Sequence, residues 1–343
     1  MKNIIILFFA SLLLGVPSCK NKDIVFPNFD YSTVYFPYQT PVRTLVLGDY
    51  EYNTGKADDN NLNFIISAHM GGVYQNNTDR IIKFVVDTSL AQRLLTSTRD
   101  SLIELPSKYY TISPTDQFVI PKGSLYAGFS VQLKEAFLDD TMAYKTRYII
   151  PIRMVSSSSD SVLSGKTTVY NPDRRIAADW TVVPLDYTLF GIKYVNAYHG
   201  NYLRRGVEVV KDLNQVSIGN LTYRQPNVEN DEVINLKTTG RRKVTITAPV
   251  KVVSGISPGS FKMDLTFDNS GNCTITNTPA SAFVISGSGK FSKSSEEWGG
   301  KKRNAIYLNY TINVSGTTHA VNDTLVIRDR AVVFESFVPV VIK

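Results

Sequence analysis

Three features of this 343-residue sequence predict an all-β protein. Tyr and Phe are abundant, at 19 and 17 residues, and Val, Ile and Thr recur beside them, a composition suited to pleated, half-buried surfaces. Short alternating apolar–polar segments follow one another at a spacing of about ten residues, with turn residues between them. Helical periodicity is nearly absent; the best candidate, residues 89–95, allows two turns at most.

The segments fall into two sets. Residues 32–36 open the first, and residues 62–68 follow a polar loop at 55–61. Residues 80–87, 109–113, 117–123, 126–133 and 147–154 continue it, the sixth with alternate residues apolar as a strand with one buried face demands. This spacing predicts an immunoglobulin-like β-sandwich over residues 30–170. Asn171 and Pro172 interrupt regular structure, so a second domain is expected over residues 178–343, with Trp180 packed at the junction. Its strands are expected at residues 200–210, 216–223, 243–247, 260–267, 305–314, 323–328 and 331–338. In residues 305–312, Ile306, Leu308, Tyr310 and Ile312 share one face, and Asn309 and Thr311 the other. A meander of this length with one apolar face predicts a small β-barrel or curled sandwich.

The first nineteen residues read as an export signal. Lys2 precedes an apolar run from Ile4 to Val16, which ends in Val16-Pro17-Ser18-Cys19. The run is shorter than the ~20 apolar residues that a spanning helix needs. Cys19 stands where a lipoprotein signal peptidase would cut and where the thiol would be acylated, so residues 1–18 are expected to be removed. Residues 19–29 would then serve as lipid anchor and tether, holding the protein to a membrane through Cys19.

The formal charge is +7, of which residues 20–177 carry +1 and residues 178–343 carry +5. The excess lies in Arg204-Arg205, Arg241-Arg242-Lys243 and Lys301-Lys302-Arg303. No nucleic-acid module surrounds these clusters, so no nucleic-acid partner is expected. Cys273 is the one cysteine besides Cys19; it cannot form an internal disulfide in the mature chain and reads as a small strand residue. Gly255-Ile256-Ser257-Pro258-Gly259 satisfies the G-x-S-x-G pattern, but Pro258 lacks the N–H that an oxyanion hole needs after the serine. His69, His199 and His319 have no ligand-like spacing, and Asp58-Asp59-Asn60-Asn61 reads as a solvated loop, so neither a metal nor any other cofactor is expected. Asp139-Asp140 and Glu296-Glu297 are adjacent acids, which on a strand face opposite ways and do not form a glycosidase pair. No catalytic residue is assigned.

The residues also carry a resemblance. Tyr110-Thr111-Ile112, then Val119-Ile120-Pro121-Lys122-Gly123-Ser124, then Tyr148-Ile149-Ile150-Pro151-Ile152 resemble the N-terminal domain of Bacteroidetes-type surface lipoproteins of polysaccharide-utilisation systems. Pro184-Leu185-Asp186-Tyr187, the segment Tyr198 to Gly206, and Arg328-Asp329-Arg330 resemble the lipocalin-like domain that accompanies it. The resemblance implies an outer-membrane lipoprotein facing outside the cell, which captures glycan beside other surface lipoproteins and an outer-membrane transporter. Such lipoproteins often carry an acidic run after the lipid cysteine, whereas here Lys20-Asn21-Lys22-Asp23 follows it.

Sugar binding needs an exposed aromatic ring with amide, carboxylate or guanidinium groups nearby. Trp298, in a polar loop flanked by glycines, is the first candidate, with Glu297 and Lys301 as its polar partners. Tyr198, His199 and Tyr202 form the second, with Asn201 and Arg204. The expected function is glycan binding without catalysis. The alternatives are a structural or assembly lipoprotein with a protein partner, a binder of small hydrophobes inside an open barrel, or a glycan-acting enzyme.

Overall fold

A computed structural model describes residues 27–48, 57–253, 259–279, 283–314 and 316–342. The lipoprotein signal, Cys19 and Gly255 to Pro258 of the G-x-S-x-G segment lie outside the described residues. Among the described residues no helix is long and apolar enough to cross a membrane.

The regular structure of the chain is nearly all strand. In its first part the strands are β1 (Thr33–Tyr35), β2 (Pro41–Val46), β3 (Asn63–Gly71), β4 (Arg80–Val86), β5 (Leu94–Leu95) and β6 (Ser101–Glu104). They continue with β7 (Tyr110–Ser113), β8 (Gln117–Ile120), β9 (Tyr126–Leu133), β10 (Tyr148–Ser157), β11 (Ser161–Val162) and β12 (Tyr187–Val195). One sheet has the order β11-β1-β3-β9-β7. A second packs against it with β2, β12, β10, β6 and β5 side by side and β4 and β8 branching from β10. The core between them is aromatic: Phe84 stacks on Phe129 at 4.0 Å, and Tyr148, Phe137 and Tyr194 interlock edge to face or tilted. β10 is buried on both faces from Tyr148 to Ile152, which is why its apolar run is unbroken. The expected sandwich is present.

The second part holds β13 (Gly200–Lys211), β14 (Ser217–Tyr223), β15 (Glu232–Gly240), β16 (Lys243–Pro249), β17 (Ser260–Phe267), β18 (Asn272–Asn277), β19 (Val284–Trp298), β20 (Lys301–Val314) and β21 (Thr317–Asp329). Antiparallel pairing runs from β15 through β21, and β21 pairs along β13, which returns to β15. Eight strands thus close a barrel, with β14 attached to the far half of β13. The expected alternation holds in β20, where Ile306, Leu308, Tyr310 and Ile312 are buried and Asn309 is exposed. The β19–β20 hairpin turns at Gly299 and Gly300, both at positive φ (61° and 69°), as a tight two-residue turn requires.

Several expectations need correction. β12, expected in the second domain, pairs with β10 and β2 and so completes the sandwich. The chain then leaves for the barrel and comes back: β22 (Glu335–Ser336) pairs with β2, and β23 (Val340–Val341) pairs with β5. The barrel is therefore an insertion between β12 and a returning tail. Residues 89–95 form one 3-10 turn at Thr88–Ala91 followed by β5, because Leu90 and Leu94 are drawn into a core with Tyr187, Leu189 and Phe337. Trp180 packs on the connection to β12, donating to the Asp173 carbonyl at 2.8 Å beneath Arg174, and not at the barrel junction.

Arg330 clamps that junction. Its guanidinium is buried and donates to the carbonyls of His199 (2.9 Å), Asn196 (2.6 Å) and Leu47 (3.0 Å), joining barrel and sandwich. Asn196 donates from its side chain to the carbonyls of Gly240 and Lys243, both at 2.9 Å. Asp59, in the segment expected to be a solvated loop, is buried; it pairs with Arg43 and accepts the Val46 N–H at 3.0 Å.

Candidate functional site

The barrel interior is occupied by its own side chains. Tyr202, Tyr310, Phe261, Met263 and Leu325 fill it, leaving a cavity of about 10 Å³, far below the ~300 Å³ of a small-ligand pocket. An open barrel for small hydrophobes is not what these residues build.

The same packing corrects the second sugar-binding candidate. Tyr202 is fully buried and donates its hydroxyl to the Tyr198 carbonyl at 2.9 Å. Arg204, also buried, donates to Asp323 at 2.9 Å and lies over the Tyr223 ring at 3.5 Å. Tyr198 stacks on Phe267 with centroids 3.7 Å apart. His199 Nδ1 accepts the Thr238 N–H at 3.1 Å; burial and the Arg330 charge lower its pKa to about 4, so it stays neutral. Asn201 donates to Asp329 at 2.8 Å and accepts from Asn235 at 2.9 Å. These residues are brought together, but as barrel core and seam. Positions 202 and 204 share one face of a strand, so once Tyr202 enters the core Arg204 must follow.

The first candidate is brought together only in part at the β19–β20 hairpin: Trp298 is the register partner of Lys301, whereas Glu297, adjacent to Trp298 on the same strand, faces the other way and pairs with Lys302. Trp298 is half-buried, with Arg303 over its ring at 4.8 Å, and Glu297 pairs loosely with Lys302 at 3.7 Å. One face of the ring is already covered by Arg303.

The acid doublets also serve the fold. Asp140 accepts hydroxyls from Tyr109 and Tyr148, both at 2.8 Å; burial opposes its ionisation, but these bonds and the Met142 N–H hold its carboxyl below the usual range. Glu296 accepts the Tyr307 hydroxyl at 2.7 Å. Among the described residues no group of three or more His, Cys, Asp or Glu is placed to hold a metal.

What the sequence reading missed is a groove of about 580 Å³ where the returning tail crosses the sandwich. Tyr38 and Phe334 stand at its rim, 58% and 70% exposed, with ring centroids 5.4 Å apart and planes tilted by 51°. Ile65, Ser67 and His69 line it from β3, and Arg43 and Thr44 from β2. His69 lies between Tyr35 and the exposed Tyr126. Arg43 is fixed by Asp59 and by the Thr44 carbonyl, to which it donates at 3.0 Å. Two lining hydroxyls, Thr44 Oγ1 and Thr188 Oγ1, are buried without a hydrogen-bond partner among the described residues. An unpaired buried hydroxyl costs ~1–3 kcal/mol, and both lie beneath the groove, closed to solvent. Tyr38 and Phe334 are 296 positions apart, a separation that hides their pairing from any local reading.

Two family models match separate stretches of this chain. Residues 197–331 match the family described as a domain of unknown function, DUF5627, and residues 29–161 match a model described as "-like, N-terminal domain". No curated protein matches. An auxiliary nutrient binding protein from Bacteroides thetaiotaomicron aligns at TM-score 0.36 and 14% identity, over 83% of this chain and 90% of its own. A Bacteroides ovatus protein of unknown function aligns at TM-score 0.44 and 14% identity, over 89% and 99%. A second Bacteroides ovatus protein of unknown function superposes at TM-score 0.84 with 38% identity, over 91% of this chain and 100% of its own. The resemblance to Bacteroidetes-type proteins holds at that level, and the chain belongs to the same family as this last Bacteroides ovatus protein.

Proposed function

We propose that this protein is a non-catalytic glycan-binding lipoprotein of the outer membrane, anchored through Cys19, whose sugar site is the groove between the sandwich and its returning tail. The exposed Tyr38–Phe334 pair carries the reading. Aromatic side chains bury ~150–250 Å² each when they can, and at ~25 cal/mol per Å² leaving two in water forgoes several kcal/mol. A pyranose ring presents an apolar C–H face that covers such rings. Its hydroxyls then meet Ser67, His69 and Arg43 below. Among the described residues no Asp or Glu lines the groove, which supports binding over glycoside hydrolysis, a reaction that needs two carboxylates.

A second reading has one observation behind it. Val333 and Val338 on the same tail are 73% and 69% exposed, so the patch also suits an apolar protein partner in a surface complex.

Affinity electrophoresis of the chain without residues 1–19, on a panel of plant, fungal and host polysaccharides, separates the two. Retardation by a polysaccharide is expected, weakened about tenfold by Tyr38→Ala or Phe334→Ala, equivalent to ~1.4 kcal/mol, and unchanged by Trp298→Ala. Retardation that survives both groove variants and vanishes with Trp298→Ala would move the site to the hairpin. Absence of retardation across the panel would favour the protein partner. In the full chain, Cys19→Ser is expected to shift the protein out of the membrane fraction; its retention there would refute the anchor.

A further inference from the structure

The outer face of the barrel carries a second concavity, of about 610 Å³, remote in sequence from the groove residues. The strand register lays two polar rows across it. In one, Thr222, Asn322, Asn309, Ser288 and Thr274 follow one another over the strands, with Val207 between the first two. In the other, Arg205, Thr324, Tyr307, Lys290 and Asn272 do the same. Alternation places these side chains outward, since Leu308, Tyr310, Cys273 and Ile275 between them are buried.

Three observations distinguish this face from ordinary solvated sheet. The amides and hydroxyls of Asn322, Asn309, Ser288 and Thr274 have no side-chain partner among the described residues, so a row of short donors and acceptors stands uncommitted at strand spacing. Tyr307, half-buried in the middle, is held by its hydroxyl bond to Glu296, which leaves a fixed ring for a sugar to lie against. Cations flank the ring. Arg205 is neutralised by Asp231 at 2.5 Å, whereas Arg224 and Lys290, both exposed, have no acid partner among the described residues. Asp323 adjoins the concavity from the inner side but is spent on Arg204 and the Tyr310 hydroxyl. A further trough of about 500 Å³ adjoins it at Ser288 and Gly289, where Asp268 beside Asn272 marks the end of the face open to an anionic chain.

We propose that this barrel face is a second saccharide site and that its ligand is an acidic glycan, with the carboxylates or sulfate esters seated between Arg224 and Lys290. The site goes beyond the groove and depends on none of its residues. Hydroxyls of the chain bond to the Asn–Ser–Thr row, a sugar face covers Tyr307, and the anionic substituents meet the two free cations. Because the attraction is between exposed charges, it weakens as salt rises.

The test is affinity electrophoresis of the chain without residues 1–19 in polygalacturonate, dextran sulfate and neutral dextran. Retardation by polygalacturonate assigns carboxylates, and retardation by dextran sulfate alone assigns sulfate esters. The double variant R224S/K290S is expected to weaken retardation tenfold or more, and Tyr307→Ala to weaken it further. K301A/K302A removes the same charge elsewhere and is expected to change little. Equal loss in K301A/K302A would reduce the effect to net charge and overturn the proposal. Loss confined to Y38A/F334A would overturn it too, while leaving the groove as a glycan site. Failure of both acidic polymers to retard the protein would refute the barrel site without touching neutral-glycan binding at the groove.

Discussion

His199 shows how a residue picked for its chemistry is used by the fold. Its Nδ1 accepts the Thr238 N–H, a bond only the neutral imidazole can make, and burial beside Arg330 lowers its pKa to about 4 from an ordinary 6.5. The unfolded chain therefore binds more protons than the folded one between these values, so stability falls as pH drops from about 6.5 toward 4. The loss approaches ~3 kcal/mol at most. His199→Asn keeps an acceptor for Thr238 and is expected to flatten that window in urea denaturation followed against pH. An unchanged slope would mean that other groups set it. A neighbouring network is similarly enclosed: Glu208 bonds with His319 at 2.5 Å and accepts the Tyr223 hydroxyl. Burial alone would raise the Glu208 carboxyl, but these two partners outweigh it and hold it ionised. Residue types in the segment Tyr198 to Arg204 were legible as chemistry, but their facing was not: tyrosine, histidine and arginine suit a ligand site and a polar barrel core equally.

At the scale of elements, legibility followed hydrophobic alternation. β20 and β9 alternate cleanly, and both were predicted. β19 was missed because Ser286-Gly287-Ser288-Gly289 reads as linker. Its glycines answer to packing instead, since a Cβ at Gly287 would lie 2.6 Å from the Tyr310 Cα and 2.3 Å from the Asn309 carbonyl oxygen. Residues 187–195 fall within the expected second domain because nothing local marks their partners, which lie about 40 residues earlier in β10 and about 150 earlier in β2. The returning tail has a measurable role in this arrangement. Phe337 is buried with Val42, Leu94, Tyr187 and Leu189, and Lys193 holds Glu335 at 2.6 Å. Phe337→Ala is expected to destabilise the protein by ~3 kcal/mol in chemical denaturation. A loss below ~1 kcal/mol would mean that the tail merely lies on the sandwich.

Across the whole molecule, the path of the chain creates the groove. The barrel leaves the sandwich after β12, closes on itself, and sends residues 330–342 back over β2 and β12. Arg330 fixes the point of return, and Phe334 is thereby set beside Tyr38. The all-β class and the order of sandwich then barrel could be read from the sequence. The groove could not, because each of its walls comes from a different part of the chain. The crystal structure of the protein with an oligosaccharide from whichever polysaccharide retards it tests this account most directly. A sugar ring is expected against Tyr38 and Phe334, with hydroxyls directed to Ser67, His69 or Arg43. A sugar on the Trp298 hairpin, with the groove empty, would contradict it.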